Sequence, residues 1–267
     1  MSGETRPAEL ARLAHQNLYG VSRRMVDDQP GGEADDDGQE LLYRSAHPLP
    51  FLNGVMRLHS RPDAAGLIAR AREWFSGRQR PSFVVFARPG DEDADLRRAA
   101  RAAGMAPVMS YPEMVCEHPV ALPALAPGTE IRAVEDLEGA RAYWRLCGAA
   151  YPSLGFPPDV FDTFTPESLL QTDVAARVCY RDSRPVACAM VTMADEVAMV
   201  GWVATAESAR RSGLAARITA EVTNLGLERG ARLVSLQASP MGESVYAALG
   251  YRELFRYRVH LAPAPEG

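Results

Sequence analysis

Apolar positions recur along the chain with two periods, and the switches between those periods lay out its elements. Leu10, Leu13, Leu18 and Val21 return at helical intervals and predict a helix over Ala8 to Met25. Asp27 to Glu40 is acidic, glycine-rich and nearly devoid of large apolar side chains, so an exposed, mobile connector is expected. Leu41 to Ala46 and Asn53 to His59 read as strands, and Pro62 with Asp63 opens a helix to about Phe75. Ser82 to Ala87 (strand), Asp91 to Ala103 (helix) and Pro107 to Cys116 (strand) complete the first half. The prolines within Glu117 to Gly128 prevent a helix and favour an extended linker.

The second half opens with a strand, Thr129 to Arg132, and a helix, Val134 to Ala150, which Pro152 to Pro158 break. Ala176 to Tyr180 and Val186 to Met193 pair across the turn Arg181 to Pro185, whose Asp and Ser suit a turn. Val197 to Thr205 is a strand. Leu214 to Glu228 is a helix whose Leu214, Ile218, Val222 and Leu225 form one stripe for covering a sheet. Leu233 to Leu236 is a short strand apolar enough to be covered on both faces. Val245, Ala248 and Leu249 follow at helical spacing, and Gly250 is placed to end that helix. From Tyr251 to Leu261 the alternation puts Leu254, Arg256, Arg258 and His260 on one face, expected to be wet.

Side by side, the halves share a pattern. Asn53 to Met56 corresponds to Val200 to Val203, Phe83 to Phe86 to Leu233 to Leu236, and Gly104-Met105 to Gly250-Tyr251. The expected organisation is a first domain over 1–120, a linker over 121–128 and a second domain over 129–267.

Composition narrows the function. The 267 residues are 47% hydrophobic, enough for one large or two modest cores. A net charge of −5 leaves no basic footprint, so no nucleic-acid partner is expected. No apolar run is long enough to span a bilayer, and an opening with Glu4, Arg6 and Glu9 lacks a signal-peptide core. A soluble cytoplasmic protein with no membrane partner, monomeric or homodimeric, is expected. Cys116, Cys147, Cys179 and Cys188 have no zinc-type spacing and read as buried free thiols, so no metal is expected. His15, His47, His59, His118 and His260 are dispersed and form no triad that can be read from order.

The chemistry concentrates at Arg210-Arg211-Ser212-Gly213-Leu214-Ala215, between a strand and a helix. The first N–H groups of that helix have no intrahelical acceptors, and the helix dipole adds partial positive charge there. Such a turn receives pyrophosphate. Gly213 permits close backbone approach, Ser212 can donate or cap, and the two arginines add charge. Downstream, SVYAALGY ends at Gly250-Tyr251.

These two segments resemble the GNAT superfamily of acyl-CoA-dependent N-acyltransferases. Arg210, Gly213 and Ala215 meet its pyrophosphate motif, and Tyr246, Leu249, Gly250 and Tyr251 meet its later motif. The resemblance covers Gly128 to Leu261 well and the first half faintly. It implies a mixed α/β (α+β) fold of two GNAT-like halves, each a twisted, mostly antiparallel sheet flanked by helices. The first half is then a degenerate copy: Ser60 to Gly66 lacks the motif spacing, Asp63 would repel phosphate, and Arg101 or a nearby alanine stands where Tyr246 stands in the second. One acyl-CoA site per chain follows.

The resemblance further implies direct acetyl transfer from acetyl-CoA to a primary amine on a small molecule or peptide. Val203, Ala204 and Thr205 would pair with the pantetheine amides like an added strand. The Arg211 to Ala216 turn, including Leu214 and Ala216, would take the pyrophosphate, and Tyr246 would protonate the leaving thiolate. Ser239 has two readings, a contact to the cofactor arm or a cap. Tyr151 to Phe164 either forms part of the acceptor pocket or plugs the core, and Trp202 either lines that pocket or is core. Asp195 and Glu196 are candidates for relaying a proton through water, or are solvated turn residues. A non-catalytic acyl-CoA-sensing or partner-binding module is the alternative from another class. Within enzymes, an acidic cleft would favour polyamine or aminoglycoside acceptors, and an apolar one aryl or amino-acid amines.

Overall fold

The computed structural model describes residues 6–60 and 63–263. Pro62, part of the expected opening of the second helix, and Arg61, within the Ser60 to Gly66 segment, lie outside the described residues. Two compact units divide the chain: residues 1–113 with 254–267, and residues 114–253. The final strand, which the sequence pattern assigns to the second domain, thus belongs from Leu254 onward to the first unit.

The first unit contains α1 (Arg6–Asp27), β1 (Glu33–Asp36), β2 (Glu40–Arg44), β3 (Asn53–Arg57), α2 (Ala64–Ser76), β4 (Phe83–Ala87), α3 (Ala94–Ala102) and most of β5 (Ala106–Cys116). The strand order is β1-β2-β3-β4, then the C-terminal strand (Arg252–Ala262), then β5. Neighbours pair antiparallel from β1 to β3, whereas β3 and β4 are parallel and joined through α2. Asp63 caps α2 by accepting from the Gly66 N–H, as a short acidic side chain does at a helix start. Leu67, Ile68, Ala71 and Phe75 of α2 are buried on Phe83 and Val85 of β4.

Glu33 to Asp36 forms a strand where a mobile acidic connector is expected. Its carboxylates are not merely solvated. Arg44 and Arg78 bind Glu33 and hold its carboxyl below the usual range, and Tyr19 donates to Asp36.

The second unit holds β6 (Thr129–Ala133), α4 (Leu137–Ala150), three 3-10 turns between Tyr151 and Leu170, β7 (Val174–Arg181), β8 (Arg184–Ala194), β9 (Val197–Thr205), α5 (Leu214–Glu228), β10 (Leu233–Gln237) and α6 (Glu243–Ala248). Its order is β10-β9-β8-β7-β6, antiparallel except for the parallel pair β10 and β9. The period of two sorts β8 between two helices. Ala187, Ala189 and Val191 join the core with Ile218 and Val222 of α5, while Cys188 meets Cys147 of α4 on the other side.

The C-terminal strand, β11 (Arg252–Ala262), is not wet along the expected face: His260 is fully buried with its pKa lowered, chiefly by burial, and Arg256 is half-buried. All four cysteines are buried and free. Among the described residues, no helix is long and apolar enough to cross a membrane, and no group of three or more His, Cys, Asp or Glu is placed to hold a metal.

Candidate active site

Strands β9 and β10 start together and then part. Their parallel pairing covers Val197–Leu233, Ala198–Val234 and Ser235–Met199 and stops there, although β9 runs on to Thr205. A bulge accompanies the parting. Between the pairs Cys188–Ala204 and Met190–Gly201, β9 spends one residue more than β8, and Trp202 takes a left-handed backbone (φ 48°). Such a conformation costs about 1–3 kcal/mol and needs to be held. The Tyr143 hydroxyl donates to the Trp202 carbonyl at 2.9 Å, and the Cys147 thiol lies 3.6 Å from the same oxygen. Both come from α4 and both are buried, and burial first of all raises the pKa of each.

The gap opens into a cleft of about 340 Å³. Val203, Ala204 and Thr205 form one wall, with backbone groups that β10 no longer pairs. The turn into α5 forms another through Arg210, Arg211, Gly213, Leu214, Ala215 and Ala216. Gly213 is the N-cap at φ 78°, a conformation glycine adopts without cost, and no side chain caps the helix. The first N–H with a backbone acceptor is that of Arg217, bonded to the Gly213 carbonyl. Among the described residues no acceptor bonds the amides of Leu214, Ala215 and Ala216, which lie on the cleft wall at the positive end of a 15-residue helix. Such an arrangement can receive an anion, beside a strand edge that can take an extended chain.

The two arginines differ. Arg210 donates to the Ala150 carbonyl (3.2 Å) and the Ser153 hydroxyl (3.0 Å), so it clips the turn after α4 across the cleft. The exposed Arg211 guanidinium has no hydrogen-bond or ion-pair partner among the described residues. Ser212 does not line the cleft; its hydroxyl donates to the Ala209 carbonyl at 2.5 Å and tightens the loop.

On the facing side Ser239, Met241, Gly242, Val245 and Tyr246 line the cleft. Ser239 caps the turn into α6: its Oγ accepts from the Gly242 N–H at 3.2 Å, and its carbonyl from Gly242 and Glu243. The Tyr246 ring lies over Gly242, where a Cβ would come within 2.7 Å of Cε2. No residue bonds the Tyr246 hydroxyl among those described, and burial pushes its pKa up to about 12. Tyr151, on the opposite lip, is likewise without a hydroxyl partner and pushed well above the phenol range, first by burial and then by Cys147 and Tyr246.

Asp195 and Glu196 lie elsewhere. They form the β8–β9 turn, where Glu196 pairs with Arg232 at 3.0 Å. The seven steps from Glu196 to Val203, the nearest β9 residue of the cleft, span about 23 Å of strand, so neither carboxylate reaches the cleft. Sequence reasoning placed Tyr246 and the α5 turn together but passed over Gly242, whose only signal is its spacing of four residues before Tyr246. Tyr143 reads in the sequence only as one of the large side chains of its helix, with nothing to mark its hydroxyl as a brace for the strand.

Residues 137–251 match the model of the acetyltransferase (GNAT) family. A GCN5-related N-acetyltransferase from Kribbella flavida is 25% identical, with 96% of each chain covered and a TM-score of 0.70. A GCN5-related N-acetyltransferase from Sphaerobacter thermophilus shares the fold at 17% identity, with 98% of this chain and 96% of that one covered and a TM-score of 0.63. So does a tandem GNAT protein from the clavulanic acid biosynthesis pathway, at 17% identity over 94% of this chain and 89% of that one, with a TM-score of 0.66. No curated protein matches the chain. Residues 137–251 are a domain of the acetyltransferase (GNAT) family, in a chain that has the GNAT fold along nearly its whole length.

Proposed function

We propose that the cleft binds acetyl-CoA and that the protein is an N-acetyltransferase in which a primary amine attacks the thioester directly. One observation carries this reading: the uncapped start of α5, the unpaired edge of β9 and the partnerless Tyr246 hydroxyl converge on one cleft. The amides of Leu214 to Ala216 and the Arg211 guanidinium take the pyrophosphate, and Val203 to Thr205 hold the pantetheine arm as an added strand. Arg210 braces the loop rather than contacting phosphate.

The amine nitrogen forms a bond to the carbonyl carbon, the C–S bond breaks with its electron pair going to sulfur, and the nitrogen loses a proton as sulfur gains one. Tyr246 supports the sulfur as a hydrogen-bond donor. A phenol near pKa 12 keeps its proton at neutral pH, and handing it to a thiolate whose thiol titrates near about 8.5 is uphill. Tyr246 therefore passes a proton to sulfur only as it regains one from the nitrogen side. No carboxylate lines the cleft among the described residues, so no side chain is assigned as the base that takes the proton from the amine.

Calorimetry with acetyl-CoA tests the reading. Gly213→Asp puts a carboxylate and a Cβ at a left-handed position facing the phosphate site, and should weaken binding at least about 100-fold. Unaltered affinity in that variant, or no binding by the folded parent, overturns the assignment.

A further inference from the structure

The cleft continues into an aromatic surface. Tyr151, which lines it, Phe156 and Trp202 are each half-buried and touch one another, with ring centroids 5.5 Å (Tyr151–Trp202), 5.6 Å (Tyr151–Phe156) and 6.4 Å (Phe156–Trp202) apart. Behind them Phe161 and Phe164 are buried, 5.4 and 5.1 Å from Trp202, so the front rings rest on a filled core. This separates two roles within one cluster: the rear rings are packing, and the front three remain partly accessible. Trp202 also precedes Val203, the first β9 residue of the cleft wall, and the bulge anchored by Tyr143 fixes its position. A molecule on these rings therefore lies beside the strand that would carry the thioester arm.

The rings select what that molecule is. Among the described residues the cleft beside them is lined by no Asp or Glu, and Asp159 and Asp162 are exposed further along the segment that carries Phe156. Flat rings gain from offset or edge-to-face packing on partly accessible aromatic side chains. Resting on the acetyltransferase reading above, we infer that the acceptor is a primary amine carried on an aromatic body, and that Tyr151, Phe156 and Trp202 form the surface on which that body stacks.

The test uses the full chain with acetyl-CoA, following release of the CoA thiol with 2-phenylethylamine, tryptamine, 2-cyclohexylethylamine, spermidine and kanamycin. The aryl amines should exceed the others in kcat/KM by about tenfold or more. Phe156→Leu, which keeps bulk and removes a ring face, should raise KM for the aryl amines severalfold and leave KM for acetyl-CoA unchanged. Preference for spermidine or kanamycin, equal use of the cyclohexyl and phenyl amines, or no aryl turnover by protein that binds acetyl-CoA would overturn the inference. Failure to bind acetyl-CoA in the calorimeter instead removes the parent reading, and this inference with it. If Phe156→Leu does not fold, the panel on the parent protein still decides.

Discussion

Gly242→Ala moves Tyr246 without altering its chemistry. Residue 242 has φ −88° and ψ −25°, which alanine adopts freely, so the backbone is not strained. The conflict lies ahead of it: the new Cβ would sit 2.7 Å from Tyr246 Cε2, 3.1 Å from Cζ and 3.2 Å from the hydroxyl oxygen. Carbon atoms rest about 3.5–4.0 Å apart, so the ring has to retreat by about 1 Å. The Tyr246 N–H is bonded to the Gly242 carbonyl at 3.0 Å, which holds the main-chain spacing and leaves the side-chain torsions to absorb the shift. A 1 Å misplacement of a reacting group costs up to about 100-fold in rate, or about 2.7 kcal/mol of barrier. We expect kcat to fall by about that factor while acetyl-CoA affinity holds, because the anion-binding amides lie on α5. Tyr246→Phe should fall comparably, and the double variant should be no slower than Tyr246→Phe alone. Steady-state thiol release and a thermal melt measure all three. Wild-type kcat in Gly242→Ala beside an impaired Tyr246→Phe, or losses that add in the double variant, would refute the positioning argument.

Tyr143→Phe removes the donor to the Trp202 carbonyl and leaves a buried acceptor short of a partner, a cost of about 1–3 kcal/mol. With the bulge loosened, KM for acetyl-CoA should rise severalfold, and unchanged KM and stability would show that the Cys147 thiol suffices. His15 supplies a pH dependence. Its Nε2 lies 2.7 Å from the Arg57 carbonyl, which can only accept, so Nε2 carries the proton and Nδ1 accepts from the Tyr257 hydroxyl. Burial lowers the His15 pKa to about 4, so this neutral form is fully stabilising above pH 6.5. Between pH 6.5 and 4 the unfolded chain binds the extra proton, and stability should fall by on the order of 3 kcal/mol. Urea midpoints measured across that range should show the slope in the parent and a flatter profile in His15→Gln; matching profiles would dismiss His15 as its source.

The elements legible in the sequence are those whose own residues decide them. Of the stripe Leu214, Ile218, Val222 and Leu225, the first three are buried and Leu225 is half-buried, and the strand–loop–helix order around Gly213 together with the β10–α6 segment places eleven of the twelve expected site residues on one cleft. What escaped depends on partners far along the chain. Glu33 to Asp36 has no apolar signal, yet it forms a strand ion-paired to Arg44 and Arg78. The alternation of β11 is real, but His260 is buried because of what packs on that face, as its contact with the Met105 carbonyl shows. Asp195 and Glu196 precede β9 in sequence, and a strand carries its two ends far apart. Trp202 could be assigned neither to core nor to pocket in advance, because its left-handed turn depends on Tyr143, 59 residues earlier.

The first unit repeats the construction and then closes it. Parallel pairing of β3 with β4 is confined to Gly54–Val84 and Val55–Val85, after which the strands lead, through Arg57 and Arg88, to the start of α3. In the second unit the corresponding ends of β9 and β10 and the start of α6 enclose a cleft. Here the same three places are laced together: Arg57 binds Asp93 at 2.8 Å and Asp95 at 3.0 Å, and Arg88 binds Asp93 at 2.9 Å. Arg57 and Asp93 are each 1% exposed, so a thioester arm entering there would have to displace a buried carboxylate from two guanidinium groups. Breaking a buried pair costs about 3–5 kcal/mol. Asp63 at the cap of α2 reinforces the exclusion, since it already accepts from the Gly66 amide that would otherwise be offered to an anion. The calorimetric titration with acetyl-CoA should accordingly end at one equivalent per chain, and a second equivalent would require this ionic knot to open.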